Sequence, residues 1–551
     1  MQPAYAKTME FLAKTANSAA AHALLPGLDS QNRDVQISAL QALLDRRDPV
    51  GQKAILDRLE AQRPGWDEVL DLKHGRLNQA LRDAVVGSDA EACARACQAI
   101  VRYREYDLVP VLISAAESVT EESSETASTA IVELAQKLYE DLNGPRDYAD
   151  RRDPQFIRRT VVSHLEKSTE KYPEHQSKEI IQAFLLLADR ANVVLQAVLY
   201  DPRHPCYLPI VDTLANAHHL GIDRLLLDFL DSNQAPAVVL STIAQRNDRN
   251  FMRRFITRWR DHPTPAMRSN VKRIEGFVWA DLQAGALSDL DEPDQVAVLS
   301  LLVESGLKRE KALAIVQFFL ESGAIKARHA ALQALDDFHG PKADALISKC
   351  LQDDDADVVV HAISQARKRD IPGTVPQLIA LAENSDPVIQ QAIRESLPEF
   401  HFETYWAGFE FMEESSRRSI GKIVKRVDPT HLERLQDELC SIRRSRRIRA
   451  AAIADVMGVA PQVESHLIEF MHDDDELVRE AVAQTLGGCH STAARQALEQ
   501  GMSDRSPAVR NAAQASLKRM QTHSKSKRQG PSEIAPPGSK LKSSPAPVVD
   551  C

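Results

Sequence analysis

A helical pattern that returns about every 30 residues limits this chain more tightly than any other feature of it. Between positions 325 and 520, a small or branched apolar residue is followed three positions later by alanine, six times over. The alanines are Ala330, Ala362, Ala392, Ala451, Ala481 and Ala512. Successive gaps are 32, 30, 59, 30 and 31 residues; the long gap is two periods, with the missing slot near Gly421. In the fifth unit Val478, Ala481, Val482, Thr485 and Leu486 fall at i, i+3, i+4, i+7 and i+8, the spacing of a buried helical stripe. A unit this short cannot enclose a core alone. The period therefore specifies an all-α solenoid, in which helical pairs stack and each buries its apolar face on the next.

The pattern extends beyond this stretch with decreasing regularity. Residues 34–43 repeat it with Ser38 in the alanine slot, whereas from 52 to 280 the helical period persists but the register drifts. Asp-Pro pairs at 48–49, 153–154, 201–202, 386–387 and 428–429 suit helix starts, because Asp can cap and Pro needs no donor at the first position. The expected organisation is a degenerate helical-repeat segment over 1–280, then an acidic hinge or long inter-repeat loop over 281–294. A regular array follows over 295–520, with a Ser/Pro/Lys-rich disordered tail over 521–551. Scarce aromatics (5%) and only 21 glycines in 551 residues fit helices packed closely on Ala, Leu, Ile and Val.

Several classes of function lack their signatures. A net charge of −10 argues against a surface coated throughout for nucleic acid. Seven scattered cysteines read as reduced thiols, and no apolar run reaches membrane-helix length, so a cytoplasmic, uninserted protein is expected. There is no Gly-x-Gly, no phosphate-binding Gly-Lys-Ser/Thr loop, no Gly-x-Ser-x-Gly elbow, and no histidine followed by glutamate. These absences weigh against an enzyme and leave no cofactor or catalytic residue to nominate. Cys93 and Cys97 lie one turn apart without the second pair a zinc site needs, and adjacent His218 and His219 point in different directions on a helix. The acidic runs 353–357 and 473–476 lack the glycine turn and distal glutamate of a calcium loop, and both precede a second helix, where they can cap it.

The run from Leu477 to Gly487, with Ala508–Ala513 and Arg447–Ala452 on the same pattern, resembles the second helix of a HEAT-like repeat. More narrowly it is similar to the bacterial short form of about 30 residues found also in phycobilisome lyase subunits. The resemblance implies a right-handed α–α superhelix of the HEAT/ARM type. It also implies that Arg449, Arg479 and Arg510 pair with acids of neighbouring units, Asp474 and Asp504 among them. It specifies architecture rather than activity.

Two basic clusters are the remaining candidates for function. Positions 246–273 hold nine basic and two acidic residues, with Arg253, Arg254 and Arg258 beside an apolar stripe of Phe251, Phe255 and Trp259. Positions 417–449 hold eleven basic and four acidic, densest at Arg443, Arg444, Arg446 and Arg447. They are either solvated, locally paired faces or sites for phosphate or an acidic protein. Three readings follow. First is a non-enzymatic scaffold or adaptor for a protein partner. The alternative is a nucleic-acid- or phosphate-binding protein, with DNA-glycosylase-like activity suggested by resemblance alone. The third is a chromophore-lyase-like role.

Overall fold

The computed structural model describes residues 4–528 apart from 62, 119–120, 146–151, 283–284 and 384–385. Among the described residues the chain is built of α-helices and short 3-10 turns, with no strand. It divides into two compact units, Met1–Ala334 and Leu335–Cys551. The acidic stretch 281–294 is not the dividing point. Its last residues already belong to the helix Glu292–Glu304, which Asp291 caps by accepting from Asp294 N.

In the first unit the drift of the repeat has a visible cause. The helix Glu121–Asn143 runs for 23 residues, longer than a period near 30 leaves for one member of a pair. It packs against Ala90–Arg102, Val109–Ala116 and Lys178–Leu187 together, so a two-helix rhythm cannot be kept through this region. Cys93 and Cys97 lie on its partner helix, both buried, and burial pushes the Cys97 thiol up to about 12.

The second unit is more regular. Six helical pairs follow one another, with second helices beginning at Ala356, Pro387, Glu414, Arg444, Glu476 and Pro507. The helix Glu414–Val427 fills the slot that the alanine pattern leaves blank. Its Gly421 is required by close approach: a Cβ there would lie 2.9 Å from the Tyr405 hydroxyl and 3.1 Å from Met457. Successive second helices pack on one another. Val478, Val482, Thr485 and Leu486 of the anticipated stripe are buried and Ala481 is half-buried, with Ala483 buried beside them.

Asp355, Asp386 and Asp475 cap their helices by accepting backbone N–H groups, each cap stabilising by about 1 kcal/mol. Of the five Asp-Pro pairs, those at 48, 153 and 386 are such caps. Asp201 instead closes a turn onto Arg203 N. Asp428 is buried, accepting from Phe402 N and Thr430 N.

The fold also sorts the cysteines. Burial pushes the Cys489 thiol up to about 12, like that of Cys97, while Cys440 is exposed. Thiolate is the reactive form. Alkylation of the native protein followed by mass spectrometry is therefore expected to label Cys440 and to leave Cys97 and Cys489 unlabelled until denaturant is added. Labelling of Cys97 or Cys489 at the rate of Cys440 would refute this packing.

Candidate partner-binding site

The arginines of the second unit divide into structural and available groups according to their position in the helix. Arg447, Arg479 and Arg510 are each the fourth residue of a second helix. Each turns Nη1 back onto two carbonyls of the preceding corner. Arg447 donates to Ser441 and Ile442 at 2.8 and 3.0 Å. Arg479 donates to Asp473 and Asp474 at 2.7 and 3.2 Å, and Arg510 to Asp504 and Arg505 at 2.7 and 3.1 Å. The rest of the fork reaches the next corner: Arg447 Nε lies 2.9 Å from Asp473, and Arg479 grips Asp504 through two bonds of 2.9 and 3.0 Å. The Arg479 guanidinium holds the Asp504 carboxyl below its ordinary range.

Arg449, which the alanine register aligns with Arg479, is the sixth residue of its helix and does something else. It bonds Glu410 of the preceding pair and lies over the Trp406 ring at 5.2 Å. Asp473 supplies the pairing carboxylate at the fifth corner, while Asp474 contributes its carbonyl to Arg479 and Arg505. The acidic runs thus serve as caps and inter-pair acceptors. Asp353 accepts from Asp355 N, and Asp473 from Asp475 N, both at 2.9 Å.

The first basic cluster is neutralised from outside its own window. Arg246 is buried, 3.0 Å from both Asp223 and Asp248. Arg254 bonds Asp223, Arg258 reaches Asp231 at 2.5 Å, and Arg260 reaches Asp294 at 2.7 Å. Phe251, Phe255 and Trp259 are core. Arg253 alone of the nominated trio is exposed with no bonded acid among the described residues. Nearby, His219 accepts from Gly221 N to cap a helix, and His218 lies 3.7 Å from Asp248.

The second cluster is partly neutralised in the same way. Arg444 meets Asp475 at 3.1 Å, Arg446 meets Glu438 at 2.5 Å, and Arg426 meets Glu383 at 3.2 Å. Together, the Arg444 side chain and the Leu477 amide hold the Asp475 carboxyl down. Three exposed cations keep no acid within bonding distance among the described residues: Arg443 at a corner, and Lys422 and Lys425 on the helix Glu414–Val427. With Arg418, paired only to Glu414 one turn back, the two lysines sit at i, i+4 and i+7, forming an exposed cationic stripe on one helix. Sequence reasoning ranked the denser arginine run above these lysines; the helical spacing would have singled them out.

One family model matches within this second unit. Residues 432–518 match the family model for HEAT repeats. No curated protein matches. Among solved structures, the chain is similar to an engineered protein at 16% identity, covering 91% of this chain and 98% of that one with a TM-score of 0.17. It is similar to a model of the full-length AP-3 complex at 12% identity, covering 95% of each with a TM-score of 0.32. A crystal structure of a Kap121p mutant shares 11% identity over 94% of this chain and 77% of that one, with a TM-score of 0.20. None of the three superposes closely. Among the described residues, no helix is long and apolar enough to cross a membrane.

Proposed function

We propose that this HEAT-like helical repeat protein is a non-enzymatic scaffold that holds an acidic protein partner against the third helical pair of its second unit. The observation that carries this reading is the stripe Arg418, Lys422 and Lys425. Its lysines keep their charge exposed where almost every neighbouring arginine has been given an acid. Exposed charge costs nothing while solvated and steers an acidic surface into contact. The rigid stack of second helices holds the stripe in place, as repeat surfaces do for extended partners. Arg254, Arg258, Arg444, Arg446 and Arg447 serve mainly to join helices, and Arg253 is an exposed cation whose charge acts on Asp294.

The test measures anisotropy of a labelled oligoglutamate peptide, and separately of a DNA duplex, with the full chain at low salt. Lys422→Glu with Lys425→Glu is expected to weaken peptide binding at least about tenfold and to leave the helical content unchanged. Peptide binding that ignores the double substitution sinks the proposal. Preference for the duplex, with a steep salt dependence, would replace it with the phosphate-binding reading.

A further inference from the structure

Among the described residues, the large apolar side chains that the second unit leaves exposed are not scattered. They are Val388, Phe411, Ile442, Leu477 and Met502, at 52, 90, 98, 47 and 45% exposure. Every one lies at, or within two residues of, the turn between the first and second helix of a pair, one in each pair from the second to the sixth. Because every pair repeats the same up-and-down course, these turns share one edge of the stack. Contacts between turns confirm that neighbours adjoin. Arg447 and Arg444 reach from the fourth turn to Asp473 and Asp475 of the fifth, Arg505 of the sixth reaches the Asp474 carbonyl, and Arg449 ties the fourth pair to Glu410 of the third. At the helix–helix spacing of roughly 10 Å, six turns make a ridge of about 50 Å. That is long enough for an interface of about 800 Å² per partner.

The charges along the ridge say what would cover it. Turns three and four lie at its centre and are opposite in kind. The third carries Phe411 with Glu413, and the fourth carries Ile442 with Arg443. Glu413 and Arg443 both occupy the residue before a second helix. Neither caps it with its side chain, and neither has an ion pair among the described residues. An apolar group with a free acid beside an apolar group with a free base is complementary to its own copy turned by two-fold symmetry. Further out, two-five sets Val388 against Leu477. One-six sets exposed Asp354 and Asp357 against exposed Arg505.

We infer that this edge is a homodimer interface, two copies packing antiparallel about a two-fold axis between the third and fourth turns. Phe411 of each copy meets Ile442 of the other, and Glu413 of each meets Arg443 of the other. Such an isologous contact repeats every interaction twice and closes on itself. It uses turns rather than the helix face that bears Lys422 and Lys425, so it does not depend on the partner proposed above.

Sedimentation velocity on the full chain, 61.2 kDa as a monomer, through the micromolar range is expected to show a species of twice that mass. Phe411→Ser with Ile442→Ser should weaken it at least about tenfold, with unchanged circular dichroism. Glu413→Arg alone and Arg443→Glu alone should each leave monomers, since each sets like charges face to face twice. The decisive arm mixes those two variants. The two-fold arrangement requires that together they form a dimer neither forms alone. A monomer throughout the series, a dimer indifferent to Phe411 and Ile442, or a mixture that stays monomeric overturns the proposal. Binding of oligoglutamate along this edge, competing with dimer formation, would also overturn it in favour of a heterologous partner.

Discussion

Replacing Asp223 with alanine is expected to destabilise the first unit by about 3–5 kcal/mol, the loss typical of a buried ion pair broken on one side. Asp223 and Arg246 are 1 and 3% exposed. The carboxylate stands on the helix Leu220–Leu230 and is shared by Arg246 and Arg254. Removing it leaves the Arg246 guanidinium inside the unit with Asp248, the Leu214 and Ala217 carbonyls and the Phe251 ring at 4.6 Å. Those dipoles satisfy its hydrogens, but half of the opposing charge is gone and water cannot reach it. Urea unfolding should show an earlier midpoint for the transition that carries the first unit. Arg249→Ala breaks an exposed pair with Asp289 and should move that midpoint by no more than about 0.5 kcal/mol equivalent. If Asp223→Ala costs less than about 1 kcal/mol, the pair is not buried as described.

The second large effect is a dependence on pH, set by Glu105. Its side chain is buried, and both oxygens lie 2.9 Å from the amide of Gly75, a residue in the left-handed region at φ +74. Burial pushes the carboxyl up to about 7, against the opposing pull of the Gly75 N–H and Arg152. Relative to an ordinary carboxyl near 4.5, the folded protein holds the proton more tightly than the unfolded chain. Its contribution is fully present below about pH 4.5, is lost as pH rises toward about 7, and is constant beyond. The loss amounts to about 3 kcal/mol. Glu105→Gln keeps an acceptor for Gly75 without the charge, so urea midpoints across this window should lose the Glu105 contribution to the slope. An unchanged slope in the variant would assign the pH dependence to other groups.

The fold was legible in the sequence because stacking dictates residue type at fixed intervals. Buried Val478 and capping Asp475 appear in the sequence pattern just as they do in the packing. The register within a unit was less legible. Ala330, Ala392, Ala481 and Ala512 are each the sixth residue of their helix, but Ala362 is the seventh and Ala451 the eighth. In a run such as Ala450-Ala451-Ala452, any alanine can take the small-residue position. That two-residue slip is why Arg449 looked like the counterpart of Arg479 when Arg447 plays the part.

Which cations of the charge clusters are paired was not legible, for a different reason. A window along the chain counts the cations of 246–273 but not Asp223, Asp231, Asp289 and Asp294, which arrive from neighbouring helices and turns. Phe411 and Ile442 carry no sequence signal of exposure at all. A large apolar residue beside a helix reads as core until the turn it sits in is known to face outward.

The forked arginines give the second unit a polarity. Arg447 ties the fourth turn to the fifth, and Arg479 the fifth to the sixth. Arg510 grips only its own turn among the described residues. The fourth pair thus latches the fifth and the fifth the sixth, while Arg505 and Arg519 of the sixth pair reach back to the Asp474 carbonyl and to Asp455. Opening should then begin at the sixth pair and travel backward, each latch released exposing the next, like a row of roof tiles that lifts only from its last course.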